Sequence, residues 1–451
     1  MINIWPAKRI EDISEKVGMG PFGSSIKVET FVSEGVPIIS GQHLHGFKLD
    51  DSVGYNYITA QHAEKLKGAI VHRGDIVFTH AGNIGQVAVI TKDSQHENYV
   101  LSQRQFFLRC DPEKSDPEYI VAYFKSPEGR HKLLANTSQV GVPSISKPVT
   151  YLRSIEIPLP PLSEQRAIAH ILGTLDDKIE NNRKTAKTLE AMAQAIFQSW
   201  FVDFDPVRAK RMAGESKEST CKRLKLTPEI LDLFPDRLVD SELGEIPEGW
   251  EVGTLDKFAD LVTESISPAK SPRTFFEHYS IPAFDAGRMP ATELGESIKS
   301  NKYMVKHNAV LVSKLNPHTS RIWLPAIGNS PAVCSTEFMQ FVPHALEDRP
   351  YLYCLMTSQS MQEEVLKHVT GSTGSRQRAQ PSQIAKVKIF FPQSYIHQAF
   401  TDQAAPLLHA IALSLTASRT LAVLRDTLLP KLISGEIRVP GAERLLEESR
   451  R

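Results

Sequence analysis

Apolar positions along residues 163–201 recur at steps of four and three without a break: Ile168, Leu172, Leu175, Ile179, then Asn182, Ala186, Leu189, Ala193, Ile196 and Trp200. That is a heptad seam, sustained over about four heptads. Pro160 and Pro161 cannot lie inside a helix, and Ser163 is a suitable cap, so the spacing predicts one helix from Ser163 to Phe201. At 1.5 Å per residue it is a rod of roughly 57 Å, which needs a partner helix to cover its stripe. The partner lies about 232 positions on: Phe400, Ala404, Leu407, Ile411, Ser414, Ser418, Leu421, Arg425, Leu428 and Leu432 keep the same register. Asn182 and Ser414 are polar at matching places, and either fix the register or form a wet patch between two imperfect helices.

The segments before each rod also correspond. Short β-branched runs at 74–78, 86–90 and 105–108 sit between glycine-rich turns, while 10–17 and 117–134 read as helical. Residues 308–313 fall where 75–79 fell, 335–341 where 102–108 fell, and Tyr351 where Tyr119 fell. One unit is therefore written twice, giving two similar domains about an approximate two-fold axis, an arrangement suited to a ligand that is itself double. Between them, 203–246 carries Arg208, Lys210, Arg211, Lys217, Lys222, Arg223 and Lys225 against Glu215 and Glu218. It is either a solvated linker or a set of phosphate contacts.

At 451 residues the chain is too long for one core and fits two domains with connectors. Its 52 basic residues equal its 52 acidic ones, so net charge neither suggests nor excludes a polyanion. Four scattered cysteines make a reducing cytoplasm the default. The start lacks a signal peptide's apolar core, and no run is expected to cross a membrane. Gly18, Gly20 and Gly23 satisfy G-x-G-x-x-G, yet a dinucleotide loop needs a strand before it and a helix after it. With 10–17 helical and an extended run after Pro21, an exposed turn approaching a backbone closely is the better reading. His43 and His45 read as turn or strand residues, not metal ligands. No nucleotide triphosphate loop, H-E-x-x-H helix or nucleophile elbow is present, and Asn316-Pro317-His318 only faintly resembles the base-holding turn of amino-methyltransferases. No catalytic residue and no metal site is expected.

Polar loops at equivalent places suggest what is bound. In the first half they hold Ser24, Lys27, Gln103, Arg104, Ser138, Gln139, Ser146 and Lys147. In the second they hold Lys314, Asn316, His318, Arg321, Ser375, Arg376, Gln377 and Arg378. Arginine forks onto guanine and glutamine or asparagine onto adenine, while lysine, serine and threonine suit phosphates. Surface loops are also polar for no other reason than solvation.

With these residues in view, the chain resembles the specificity subunit of type I restriction–modification systems. The resemblance rests on 158–168 (PLPPLSEQRAI), 188–210 (TLEAMAQAIFQSWFVDFDPVRAK), 243–252 (LGEIPEGWEV), 371–378 (GSTGSRQR) and 424–439 (LRDTLLPKLISGEIRV). It implies an α+β fold of two similar α/β target-recognition domains separated by two long antiparallel helices, a coiled coil with pseudo-two-fold internal repeat. The implied order is 1–157 first recognition domain, 158–202 first spacer helix, 203–246 charged connector, 247–392 second recognition domain, 393–434 second spacer helix and 435–451 tail. Each domain would read half of a split double-stranded DNA target, and the helices would set the gap, about one duplex turn. Two modification subunits would dock on the helices through Leu162, Glu164, Gln165, Leu172, Ile179, Asn182, Leu189, Ile196, Trp200, Leu407, Ile411, Leu421 and Leu428. Restriction subunits would join through them. S-adenosylmethionine, ATP and magnesium would be held by those partners and none by this non-catalytic chain. Residues 390–394 read FFPQS where the first copy has PLPPLS, so the two docking sites are not expected to be equal. The other readings are a coiled-coil scaffold that reads no sequence, and an enzyme with its own methyltransferase or nuclease.

Overall fold

The computed structural model describes residues 5–23, 25–138, 141–211, 216–326, 328, 330–371 and 377–439. Contacts divide the chain into two units, Met1–Asn181 with Ser418–Arg451, and Asn182–Ala417.

The first unit is built on a four-stranded sheet in the order Ser14–Met19, Gln105–Cys110, Asp75–Thr79, Val87–Val89. Its central strand is β-branched and buried on both faces, with Ile76, Val77 and Phe78 fully enclosed. Opposite Asp75 lies Arg109, which donates from Nε and Nη2 to that buried carboxylate, 2.7 Å each. A fork of this kind satisfies a charge that burial would otherwise make costly. A second sheet orders Asn56–Ile58, Val36–Ile39, Asn98–Leu101 and Ile70–His72. The helical reading of 117–134 divides at Ser126 into Pro117–Lys125 and Pro127–Leu134, because a residue before proline avoids the helical conformation. The Asp116 and Ser126 side chains cap the two pieces, accepting from Tyr119 N and Gly129 N.

The helical reading of 10–17 is corrected. Ile10–Ile13 is a single 3-10 turn and Ser14–Met19 is a strand, paired with Gln105–Cys110. Ile10, Ile13 and Val17 keep helix spacing but are buried equally well by a turn running into an edge strand. The three glycines thus do follow a strand, yet only the 3-10 turn Val28–Thr30 comes after them, so no helix N-terminus faces a phosphate. Gly20 N donates to Gln105 O, and a side chain there would collide with the Ser102 carbonyl. That is the close approach expected of the turn. His43 is a buried turn residue stacked on Tyr55.

The second unit repeats the first sheet as Ala259–Val262, Phe338–Pro343, Val310–Ser313 and Ile322–Trp323, with Val310 opposite Phe341 and Ser313 opposite Phe338. Its second sheet has five strands. Residues of the charged connector form helices Asp205–Lys210, Lys217–Leu224 and Pro228–Leu233, and Val207, Cys221, Leu231 and Phe234 enter the core beside Trp200, Trp250 and Phe400. A solvated linker would not bury them. Phe204 takes a left-handed conformation at the end of the long helix and packs its ring against Trp250 and Phe390, which offsets the strain.

Each unit is closed by pairing an early strand with the strand that leads into a long helix: Ala7–Arg9 with Glu156–Pro158, and Glu251–Thr254 with Lys388–Phe391. The helices follow, Leu162–Phe201 with 40 residues and Ser394–Ser434 with 41. Every seam position named from sequence is buried or half-buried. In the first unit Glu164 accepts from Val439 N while Asp176 pairs with Arg425, so the segments run antiparallel. In the second, Phe197, Trp200 and Phe201 pack on Phe400. Asn182 Nδ2 is buried with no acceptor among the described residues, which disfavours a hydrogen-bonded alignment device there. The expectation of no membrane-length apolar run is also corrected: part of Ser394–Ser434 reaches a mean hydropathy of 1.6, enough by length and composition. Only 11% of that stretch is buried, so most of its apolar content lies outside the core.

The welds between domain and helix differ. Gln165 is fully buried, accepts from Asp116 N at 2.9 Å and donates to Lys114 O and Pro160 O. Glu164 is buried under Arg438 and Val439. Both side chains are engaged within the fold. The second copy has Ile396 and His397 instead, with His397 Nδ1 3.3 Å from Asp348. Burial pushes His397 down to about 4 and raises Asp348. The unfolded chain therefore takes up a proton near pH 6.5 that native His397 refuses until about 4, and stability falls as pH drops through that window. Asp348 acts in the opposite sense from its acid end. His397→Gln is expected to remove a pH-dependent loss of at most about 3 kcal/mol between those limits, read from thermal unfolding against pH.

Candidate nucleic-acid interface

At one end of the first four-stranded sheet three segments meet. His80 N donates to Arg104 O, Ile145 N to His80 O, and Gly82 N to Pro143 O. Gly82, at φ 85°, turns the chain as few other residues would. Beneath them Gln105 Nε2 donates to Thr79 Oγ1, which donates to Gln86. Gln103 and Arg104 are exposed at this junction, and Gln103 Nε2 reaches Ile26 O, next to exposed Lys27. The hairpin of Thr137–Ser138 with Ser144–Ile145 rises from the same place, and Asn136 binds Ser146 through N–H donors in both directions. Exposed Lys147, at φ 46°, ends it and begins the next helix.

The second unit repeats the junction 233 or 234 positions on. Lys314 N donates to Glu337 O, Ala379 N to Lys314 O, and Asn316 N to Gln377 O, each at 2.9 Å. Asn316 takes the left-handed place of Gly82, at φ 48°. Val369–Thr370 pairs with Arg378–Ala379 as the rising hairpin. His318 is exposed in the neighbouring turn.

The structure thus brings together Lys27, Gln103, Arg104, Ser138, Ser146 and Lys147 in one half, and Lys314, Asn316, His318, Gln377 and Arg378 in the other. Ser24, Gln139, Ser375 and Arg376 lie outside the described residues. Arg321 does not belong with them as a free cation: its Nε and Nη2 fork onto Asp285 at 2.7 and 3.0 Å and its side chain is only 14% exposed. Arg104 donates to no described residue and lies beside Gly82. Two contributors were missed, His80 and Glu337; aligning the repeats places Glu337 at the position of Arg104, which a search for cations alone passes over.

Among the described residues no His, Cys, Asp and Glu group is arranged to hold a metal. All four cysteines are buried and free, and burial pushes the Cys110 and Cys334 thiols up to about 12, far from a reactive thiolate.

Fold and site define a duplicated protein that carries the same three-segment junction in each half. The type I restriction modification DNA specificity domain matches residues 4–191 and again 247–403, and the chain belongs to that family of specificity subunits, which select the DNA target. It is 24% identical to the HindI specificity subunit of Haemophilus influenzae over 81% of this chain and 87% of that one. Against the MjaIX specificity subunit of Methanocaldococcus jannaschii the identity is 27%, over 96% and 94%. The fold is that of the S subunit of M. genitalium, with a TM-score of 0.57 at 16% identity, covering 95% of this chain and 96% of that one.

Arg321→Ala is expected to cost about 1 kcal/mol, because it leaves Asp285 without its fork. Arg104→Ala is expected to leave unfolding unchanged within about 0.5 kcal/mol, as for a surface group with no partner among the described residues. Differential scanning calorimetry of the two variants checks both.

Proposed function

We propose that each unit reads one half of a bipartite double-stranded DNA site with the junction at its sheet end, and that the two long helices set the number of unread base pairs between halves. The observation that carries this is the recurrence of one three-segment junction, with the same hydrogen bonds, in both halves of the chain. Base edges are read by forked arginine, asparagine and glutamine, and phosphates by lysine and serine, and both kinds of residue gather there.

The helices also dock two modification subunits, and restriction subunits join through those. Of the seam residues Leu172, Ile179 and Trp200 are buried and Asn182, Leu189, Ile196, Leu407, Ile411, Leu421 and Leu428 half-buried, and docking also draws on apolar residues off the seam. Met192, Leu413, Val423 and Leu424 are exposed on the helices and support that reading. S-adenosylmethionine, ATP and magnesium belong to the partners, and the assembly works in the cytoplasm where its DNA lies.

Deleting the gene is expected to remove one split adenine-methylation motif from the source cell's genome, read by methylation-sensitive sequencing. Arg104→Ala is expected to relax one position of the first half-site by about tenfold, in line with the loss of one forked base contact, and to leave the second half intact. An unchanged map on deletion would instead favour a scaffold that reads no sequence.

A further inference from the structure

The repeated junction differs in charge at one position. Where the first unit has Arg104, which pairs with no described residue, the second has Glu337, and Glu337 holds Arg378 from the rising hairpin. Arg378 Nε donates to Glu337 Oε2 at 3.0 Å and Nη2 to Oε1 at 2.9 Å. The position equivalent to Arg378 in the first unit is Ser144, which has no such charge.

The pair leaves its arginine more open than does Arg321 with Asp285. Arg378 stays 45% exposed, against 14% for Arg321. A guanidinium has five N–H donors, and this fork uses the Nε edge. Nη1 and the second Nη2 hydrogen are taken by no described residue, and together they form the edge that matches guanine O6 and N7. Lys314 stands close enough to help hold Glu337 ionised, after Arg378 itself, so the carboxylate titrates below its usual range. The backbone of the junction fixes both ends of the pair: Lys314 N binds Glu337 O, and Arg378 is bridged to Leu315.

We propose that Glu337 is a positioning residue for DNA reading: it orients Arg378 so that the free Nη edge meets a guanine in the second half-site. The first unit makes its equivalent contact with unbuttressed Arg104. This rests on the reading that each unit recognises one half-site. An arginine held in one rotamer loses less freedom on binding than a free one, which sharpens discrimination more than it raises general affinity.

The test uses the full chain assembled with its modification subunits. Binding is titrated against duplexes in which single base pairs of the methylated motif are changed in turn. Glu337→Gln is expected to lower selectivity at one G·C pair of the second half-site about tenfold. Selectivity in the first half should not move, and binding to unrelated duplex should not fall. Because Glu337 acts through Arg378, Arg378→Ala should relax the same pair, and the double variant should lose no more than Arg378→Ala alone. Equal loss on all sequences, additive losses, or no change would overturn the inference. Glu337→Asp, which keeps the charge, replaces Glu337→Gln if calorimetry shows that variant unfolded, and is expected to lose part of the selectivity at the same pair. If the wild-type assembly prefers no split site, the broader reading falls; if it does and Glu337→Gln matches it, only the role of Glu337 falls.

Discussion

A helix of 40 residues with an apolar stripe has no stable isolated state in water, so the architecture depends on covering the seam of Leu162–Phe201. Ser394–Ser434 supplies the cover, with Phe400, Ala404 and Leu408 buried in one unit and Leu429 and Leu432 in the other. The cover comes from the far end of the same chain, so the first unit has no complete core from one continuous stretch of sequence, whereas the second, Asn182–Ala417, has. The first long helix and the last part of the second must meet before the first unit's core is closed, which couples recognition domain and spacer in one folding event.

Given that seam, the domains need rigid attachment to it. A strand pair does this in each unit by joining the start of the domain to the segment that enters the helix. The buried residue just inside the helix then ties it to a domain helix: Gln165 to the backbone at Asp116, His397 to the side chain of Asp348. An amide satisfies three backbone groups with no charge, whereas an imidazole beside a carboxylate brings two titrating groups into the core. The degraded second motif therefore changes the chemistry of the weld while keeping its place in the fold.

The seam and the repeat were legible in the sequence because each is a periodic signal that many residues support at once. Helix ends agreed to within a residue or so, fixed by Pro160, Pro161 and Ser163 at one end and Phe201 at the other. The misreading at 10–17 arose where Ile10, Ile13 and Val17 fit helix spacing over too short a span, and pairing with Gln105–Cys110 decided the outcome. The connector was misjudged for the opposite reason: its charges dominate the composition, while the few apolar residues that anchor it, Val207, Cys221, Leu231 and Phe234, are spread among them. At the interface the polar loops were legible as a group. Which arginines were already engaged was not, because Asp285 is 36 positions from Arg321 and Glu337 is 41 from Arg378.

That last distinction bears on how a duplicated fold diverges. The junction's backbone bonds recur with Gly82 and Asn316 in the same left-handed turn, so a change of side chain there leaves the frame intact. A carboxylate at the position of Glu337, where the first unit has a cation, would repel phosphate if it stood alone. Arg378 on the facing hairpin neutralises it, and the pair occupies the surface that one arginine and one serine occupy in the first unit. The same backbone frame thus accepts a different pair of side chains in each half, the charges of Glu337 and Arg378 offsetting each other in the second.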